Sequence, residues 1–216
     1  NIISKISSTA ELAFSFTLLS IRNIFQANQS VNRGEWDYSK HIGRQLNSLT
    51  IGIIGFGRLG KFYSRYCKAF KCKLLVYDPY KKITQKNVTQ VNSIKNLLKK
   101  SDVISLHVHL NNNTKNLINK NNLRIMKKNV ILINTSRGEI INELDLIKHL
   151  KNNKKMQYFT DVLSDEINRK NNLIIKEAKK SVQIFITPHI GGMTKEAQLL
   201  AYTHAAKLLK KEIFKP

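Results

Sequence analysis

The stretch 50–60 reads Thr-Ile-Gly-Ile-Ile-Gly-Phe-Gly-Arg-Leu-Gly, and it decides the fold of this chain. An apolar run leads into three glycines with the spacing GxGxxG, namely Gly55, Gly57 and Gly60, and an amphipathic segment follows directly. In this context the first glycine permits a tight turn, the second lets main-chain amides approach a pyrophosphate, and the third lets a helix pack closely on the strand. The free N–H groups at the start of that helix attract an anion. The stretch therefore predicts a strand, a dinucleotide-binding turn and a helix.

The rest of the chain repeats this alternation of short apolar runs and longer amphipathic segments. With 216 residues, 42% of them hydrophobic, the chain is large enough for one domain with appended segments. Segments long enough for a helix separate the β-branched runs, a pattern that predicts βαβ units and a parallel sheet. We therefore predict an α/β fold, a doubly wound parallel sheet (Rossmann fold) with flanking helices. Strands are expected at 51–54, 74–77, 103–106, 130–133, 157–162 and 183–187, and helices at 58–70, 93–100, 119–128, 142–151 and 194–213.

One more helix is expected near 8–27, ahead of the first strand. Ser8 and Glu11 have the spacing of a capping box, and apolar residues recur after them at roughly helical intervals. The Gly-Glu-Trp at 34–36 predicts a turn. The sequence contains no internal repeat and no linker rich in Pro or Gly, so we expect one complete domain. The expected divisions are an N-terminal helical segment at 1–45, a dinucleotide-binding domain at 46–192 and a C-terminal helix at 193–216.

The charge of the chain is strongly positive, with a formal net charge of +23 and a pI near 10.1. Such a charge is typical of proteins that bind nucleic acid or membrane surfaces. The lysines, however, are scattered over the whole chain as doublets outside the apolar runs, which indicates solvated faces and argues against a nucleic-acid partner. No apolar segment approaches the roughly 20 residues needed to span a bilayer. The two cysteines, Cys67 and Cys72, match no metal spacing and indicate buried free thiols in a reducing, cytoplasmic compartment.

Asp78 supplies a second sign of a dinucleotide site. It ends the run Leu-Leu-Val-Tyr-Asp and lies 18 residues after Gly60, close to the expected spacing of about 20. An acidic residue at the end of the second strand accepts hydrogen bonds from the adenosine ribose and would repel a 2′-phosphate. The sequence therefore favours NAD over NADP as the cofactor. A plain glycine turn with a capping aspartate is the alternative.

Three later segments carry a resemblance to a known family. They are Met-Lys-Lys-Asn-Val-Ile-Leu-Ile-Asn-Thr-Ser-Arg-Gly-Glu at 126–139, Thr-Asp-Val-Leu-Ser-Asp-Glu at 160–166, and Thr-Pro-His-Ile-Gly-Gly-Met-Thr-Lys-Glu-Ala at 187–197. Together with the glycine turn, and in this order, they resemble the D-2-hydroxyacid dehydrogenase family. The resemblance runs from about Ser8 to about Leu209.

The resemblance implies a catalytic set of three residues. In this set Arg137 binds the substrate, His189 is the acid/base, and Glu166 supports the histidine. The chemistry requires these residue types, because imidazole exchanges protons near neutral pH, a carboxylate orients the ring, and a guanidinium forks onto a substrate carboxylate. As alternatives, Arg137 could be an exposed residue at a strand end and Glu166 a surface carboxylate, since Asp165 is adjacent and Ile167 stands where the family usually has proline.

The resemblance also implies further cofactor contacts. Asp161, at the end of a predicted strand, is expected near the carboxamide, and His107 is expected to line the cofactor cleft. The other implied contacts are Arg58, Leu59, Thr135, Ser136, Gly191 and Gly192. The sequence departs from the family where His109 replaces a proline and where Gln157, Tyr158 and Phe159 replace small residues, so local repacking is expected.

The resemblance finally implies what surrounds this chain. Family members close the active site with a substrate domain, largely absent here, so the chain is expected to be a fragment, in keeping with the absence of Met at position 1. The implied activity is hydride transfer between NAD and a D-2-hydroxy acid, with 3-phosphoglycerate as the first candidate substrate and a homodimer as the expected assembly. The 8–27 helix could pack in the dimer interface or within the chain. An NAD(H)-sensing, corepressor-like protein of the same family is the alternative function.

Overall fold

Seven parallel strands form a single sheet in the computed structural model, which describes residues 5–214 of the chain. The strands are β1 (Thr50–Ile54), β2 (Lys73–Tyr77), β3 (Thr89–Gln90), β4 (Val103–Leu106), β5 (Ile131–Asn134), β6 (Gln157–Thr160) and β7 (Ile184–Ile186). Their order across the sheet is β3-β2-β1-β4-β5-β6-β7, so the chain runs outward from β1 in one direction, returns, and continues from β4 in the other. The reversal opens a crevice beside the carboxyl ends of β1 and β4, where such sheets bind ligands.

Helices cover both faces of the sheet. Those described are α1 (Ser8–Ile21), α2 (Ile24–Asn32), α3 (Arg58–Ala69), α4 (Ile94–Lys100), α5 (Lys120–Arg124), α6 (Glu143–Asn152), α7 (Leu173–Ala178) and α8 (Lys195–Ile213). One apolar core joins buried residues of α4, α5, α6 and α7 to the sheet, and a second joins those of α1 and α3 to its other face. The predicted doubly wound parallel sheet is therefore confirmed. None of the helices within 5–214 is long and apolar enough to cross a membrane.

The predicted N-terminal helix at 8–27 is wrong in its extent. The backbone breaks at Asn23, which has a φ of 52°, and two helices, α1 and α2, replace the single one. Asparagine tolerates this left-handed conformation, and the Asn23 amide donates to the Ile42 carbonyl at 3.1 Å. The predicted capping pair is also shifted, because Ser7 rather than Ser8 precedes the helix and its hydroxyl donates to Glu11 at 2.5 Å. The helix predicted at 119–128 is shorter, at Lys120–Arg124.

Helix α1 packs within the chain, against the sheet. Phe16 is buried, and its ring centroid lies 6.0 Å from that of Phe159 and 5.6 Å from that of Phe185. Phe159 and Phe185 are stacked at 5.3 Å. The large side chain at position 159 thus fills an aromatic layer between α1 and the strands β6 and β7. This is the local repacking that the departure from small residues predicts.

Candidate functional site

The glycine turn after β1 combines two crowded positions with one open position. Gly55 has a φ of +91°, and a Cβ atom there would lie 2.5 Å from the His107 carbonyl oxygen. A Cβ atom on Gly60 would lie 2.2 Å from the Gly55 carbonyl oxygen. At Gly57, by contrast, no atom lies within 4 Å of such a Cβ. Gly55 and Gly60 are therefore required by packing, while Gly57 faces space that a ligand can enter.

That space belongs to a cleft of about 560 Å³ at the carboxyl edge of the sheet. The cleft brings together most of the residues predicted from the sequence to bind the cofactor or substrate. The predicted residues Gly55, Gly60, Asp78 and Glu166 are not part of its lining. The lining consists of Thr9, Gly57, Arg58, Leu59, His107, Val108, His109, Leu110, Thr135, Ser136, Arg137, Asp161, His189, Gly191 and Gly192.

Asp78 lies directly after β2 and holds the glycine turn. One carboxylate oxygen accepts the Phe56 N–H at 2.8 Å, and the other accepts the Tyr80 N–H at 3.0 Å. The residue is 9% exposed. Because an ionised carboxylate offers about four acceptor positions, two remain for ribose hydroxyls. Asp78 can therefore still accept hydrogen bonds from a ribose, as predicted. It also holds the glycine turn in place through the Phe56 N–H.

Two buried polar atoms at the cleft have no protein partner among the described residues. They are the Thr135 hydroxyl oxygen and His107 Nδ1. A buried polar atom without a hydrogen bond costs free energy, so both atoms favour a bound polar ligand. Together with the open position at Gly57, they show that these residues fit a dinucleotide. Neither atom could be identified from the sequence as unpaired.

Arg58, at the start of α3, turns toward the N-terminal segment. Its guanidinium donates to the Ile6 carbonyl. Leu59, beside it, is partly buried against the core formed with α1 and α3. Both residues line the cleft, as their predicted cofactor contacts require.

His107 is held neutral by its surroundings. Its ring centroid lies 5.0 Å from that of Tyr63, and its Nε2 is 3.0 Å from the Ser105 hydroxyl. Although the residue keeps some surface at the cleft, its Nδ1 atom is buried. Burial lowers the pKa of His107 to about 3. His107 is therefore uncharged at physiological pH and can offer the cleft only a neutral ring.

The depressed pKa of His107 predicts a loss of stability in acid. Unfolded histidine takes up a proton near pH 6.5, whereas the folded state resists it until about pH 3, so stability falls as the pH drops through this window. Between pH 7 and pH 5 we expect the free energy of unfolding to fall by about 1–2 kcal/mol more in the parent than in His107→Asn. Urea unfolding at both pH values measures the difference. An equal change in the free energy of unfolding between the two pH values in the parent and in His107→Asn would contradict the assignment.

His189 and Glu166 form a close pair at the mouth of the cleft. The imidazole Nδ1 lies 2.9 Å and 2.8 Å from the two oxygens of Glu166. The neighbouring Asp165 turns away and accepts from Asn168 instead. The backbone of His189 has a φ of 57°, a conformation that is costly for a residue with a side chain and is concentrated at functional sites. His189 also borders a second, mostly apolar cavity of about 540 Å³ that Glu166 lines.

Asp161 holds the turn that carries His189. One of its oxygens accepts the Ile190 N–H at 2.8 Å and the Thr187 hydroxyl at 2.5 Å, and the other accepts the Gly191 N–H at 2.7 Å. Asp161 is 1% exposed. Because these bonds reach residues on both sides of His189, they stabilise its strained backbone conformation. Asp161 lines the cleft where the carboxamide contact is predicted, but most of its acceptor capacity serves the turn.

Gly191 and Gly192 follow His189 and line the cleft side by side. A Cβ atom on Gly191 would lie 3.0 Å from an Asp161 oxygen and 3.2 Å from the Thr9 methyl group. Thr9, at the start of α1, donates its hydroxyl to the Gly191 carbonyl at 3.1 Å. Nothing lies within 4 Å of a Cβ on Gly192. Sequence reasoning missed Thr9, because it stands about 180 residues away from the turn it supports.

Arg137 projects from the segment after β5 and is exposed. Its guanidinium donates to the Ser136 carbonyl at 2.6 Å, which leaves most of its N–H groups free. The fully buried Asn134 fixes this segment, since its amide donates to the Arg137 carbonyl at 2.9 Å and its oxygen accepts the Ser136 N–H at 3.0 Å. The Ser136 hydroxyl donates to the Leu106 carbonyl. Asn134 is a positioning residue that the sequence analysis missed.

Glu143 positions the loop that carries Glu166. One Glu143 oxygen accepts the Ser164 N–H at 2.8 Å, and the other accepts the Asn172 amide at 3.1 Å. The same loop rests on Gly138, where a Cβ atom would lie 1.9 Å from the carbonyl carbon of Leu163. The segments after β5 and β6 are therefore in direct backbone contact, and this contact brings Glu166 to the same region as Arg137.

Fold and cleft together define a dinucleotide-binding domain of the Rossmann type. The chain belongs to the D-isomer specific 2-hydroxyacid dehydrogenase family, whose NAD binding domain matches residues 14–191. NAD is the cofactor of this domain. The family membership predicted from the sequence is confirmed.

Individual relatives agree with this family. The chain is 38% identical to D-3-phosphoglycerate dehydrogenase of Methanocaldococcus jannaschii over 94% of its residues, and 37% identical to hydroxypyruvate reductase of Thermotoga maritima over 88%. It spans 38% of the first relative's length and 61% of the second's. Among solved structures, D-lactate dehydrogenase from Aquifex aeolicus, complexed with NAD and lactic acid, superposes with a TM-score of 0.89 at 31% identity, covering 97% of this chain and 67% of that one.

The two kinds of glycine in the turn predict opposite effects of substitution. Gly57→Val should leave the free energy of unfolding within about 1 kcal/mol of the parent but weaken NADH binding at least tenfold, because the new side chain fills the space open to the pyrophosphate. Gly60→Ala should instead destabilise the fold, since its Cβ meets backbone. NADH fluorescence titration and urea unfolding measure both variants. Unchanged NADH affinity in Gly57→Val would show that the turn does not bind the cofactor.

Proposed function

We propose that this chain forms the coenzyme-binding part of an NAD-dependent D-2-hydroxyacid dehydrogenase and carries its acid–base pair. One observation carries the proposal: the His189 imidazole, paired with Glu166 at 2.8 Å, borders the same cleft as the open glycine turn and Arg137. A dinucleotide, a proton carrier and a carboxylate-binding cation are the three requirements for oxidising a 2-hydroxy acid. The proposed domain is 46–192, flanked by helical segments at 1–45 and 193–216.

NAD, when bound, supplies the hydride chemistry at its nicotinamide ring. The chain's own residues hold it. The amides after Gly57 and the start of α3 would bind the pyrophosphate, and Asp78 would accept from the adenosine ribose. Thr135 and His107 would offer polar atoms to the bound cofactor.

His189 moves the proton in the proposed reaction. With both Glu166 oxygens next to Nδ1, the stable tautomer has its proton on Nδ1, and Nε2 is free to accept the proton of the substrate hydroxyl. Glu166 then stabilises the resulting imidazolium. In the reverse direction the protonated ring delivers that proton to the carbonyl oxygen.

Arg137 binds the substrate in this proposal. Its exposed guanidinium offers paired N–H groups to the substrate carboxylate and stabilises negative charge on the neighbouring oxygen. 3-Phosphoglycerate remains the first candidate substrate, supported by four similar proteins that are D-3-phosphoglycerate dehydrogenases. We also infer a homodimer, because three large hydrophobic side chains, those of Trp36, Tyr38 and Ile42, are exposed close together in the sequence. We infer a cytoplasmic location from the free thiols of Cys67 and Cys72.

The test is NADH consumption by the full-length protein with a panel of 2-oxo acids that includes 3-phosphohydroxypyruvate, hydroxypyruvate, glyoxylate and pyruvate. Glu166→Gln should lower kcat about 10- to 100-fold, because a neutral partner cannot stabilise the imidazolium. Asp165→Asn, at the adjacent exposed carboxylate that contacts Asn168, should stay within about threefold of the parent. NADH binding without turnover of any acid would refute the enzyme proposal and favour the sensing alternative.

A further inference from the structure

Another cleft, lined by lysines, lies at the amino edge of the sheet, opposite the dinucleotide cleft. It has a volume of about 550 Å³. It lies between the first residues of β1, β2 and β3 and the carboxyl end of α4. Its walls combine apolar side chains, hydroxyl groups and ammonium groups. The lining is Thr50, Lys73, Leu75, Thr89, Val91, Lys99, Lys100 and Lys127.

The charge of this cleft is unbalanced. Lys127 is paired with Asp102 at 3.0 Å, and Arg44 approaches the same carboxylate at 3.4 Å. Within residues 5–214, by contrast, no ion pair is recorded for Lys73, Lys99 or Lys100, and no carboxylate belongs to the lining. Three like charges around one concavity repel each other and raise the local concentration of anions.

The groups that line this cleft indicate which class of ligand it can bind. The carboxyl end of α4 presents carbonyl groups rather than N–H donors, so the ammonium groups must supply the recognition of an anion. Lysine binds phosphate as a mobile point charge, and three such charges suit an anion that carries more than one phosphate group. Val91 is half-buried and offers an apolar surface for an organic ring, whereas Leu75, which also lines the cleft, is only 3% exposed.

We propose that this cleft binds a small polyphosphate ester of the nucleoside di- or triphosphate class. A pocket of this volume fits a molecule of that size. A long nucleic acid is a poorer match, because the lysines are dispersed along the whole sequence as doublets, a pattern typical of solvated faces. The proposal does not depend on the dehydrogenase activity.

The experiment is isothermal titration of the protein with inorganic tripolyphosphate at about 0.15 M salt, in the presence of saturating NADH, so that the dinucleotide cleft is filled. Lys99→Gln combined with Lys100→Gln should weaken binding at least tenfold. The matched control is Lys179→Gln combined with Lys180→Gln, a doublet that follows α7 beside the edge strand β7. The control removes the same charge and should change the affinity less than twofold.

Three outcomes would overturn the proposal. Equal weakening by both doublets would show that only diffuse charge attracts the anion. Binding that disappears when NADH is added would assign it to the dinucleotide cleft. Finally, a 20-nucleotide DNA strand could bind without being displaced by tripolyphosphate. If both double variants weakened that binding equally, the result would point to nucleic acid instead. The affinity of each variant for NADH is titrated separately and should equal that of the parent. A failure of this proposal can then be distinguished from a failure of the proposed function.

Discussion

His189→Ala is expected to lower kcat for the reduction of a 2-oxo acid by about 10²–10⁴-fold while leaving the Kd for NADH within about threefold of the parent. General acid catalysis contributes typically 10²–10⁴ in rate, and the alanine variant has no group at this position to deliver the proton. The cofactor affinity should survive, because Asp161 holds the turn through Thr187, Ile190 and Gly191 rather than through the imidazole. Steady-state kinetics and NADH titration on the full-length protein measure the two quantities.

The matched control for this prediction is His109→Ala. His109 lines the same cleft and is exposed, and its backbone carbonyl accepts a hydrogen bond from the Thr114 hydroxyl at 2.6 Å. Its removal should change kcat less than about fivefold. A kcat for His189→Ala within tenfold of the parent would remove His189 from the proposed chemistry, whatever its position beside Glu166.

Gly138→Ala should be the most destabilising of the glycine substitutions. The new Cβ would lie 1.9 Å from the carbonyl carbon of Leu163 and 2.1 Å from the Ser164 nitrogen, and backbone atoms cannot swing aside as a flexible side chain can. We expect the free energy of unfolding to fall by about 2–4 kcal/mol, in the range for overpacking against a fixed structure. The loop that carries Glu166 must also shift, so kcat should fall as well. Urea unfolding monitored by circular dichroism gives the stability.

Gly192→Ala is the control for Gly138→Ala. It adds the same methyl group in the same region, but no atom lies within 4 Å of the new Cβ. Its free energy of unfolding should stay within about 0.5 kcal/mol of the parent. If Gly138→Ala unfolds at the same urea concentration as this control, the two loops do not make the close backbone contact described above.

The sequence predicted the sheet well because its strands are buried on both faces. Such strands appear as continuous β-branched runs, and the runs at 51–54 and 103–106 match β1 and β4 closely. The missed elements carry weak signals. β3 has only two residues and α7 only six, too few for a periodic pattern. The break at Asn23 escaped notice because a single left-handed residue leaves the apolar spacing on either side almost unchanged.

The three residues proposed to be catalytic could be selected from the sequence for a different reason. Arg137, Glu166 and His189 stand in short motifs whose residue types the chemistry demands. The residues that position them were not predictable, because their partners are distant along the chain. Glu143 acts on Ser164 and Asn172, residues that meet it only once the sheet has formed. Long-range hydrogen bonds from side chains to backbone leave no periodic trace in a sequence.

The hydrogen bond from Thr9 to Gly191 joins the beginning of the first helix to the peptide two residues beyond His189. Further along that helix, Phe16 packs in the aromatic layer with Phe159 and Phe185. Because of this hydrogen bond, a shift of α1 against the strands would move the Gly191 carbonyl and, with it, the loop that carries His189. We therefore expect the seating of the N-terminal helix on the sheet and the rate of the proposed reaction to change together.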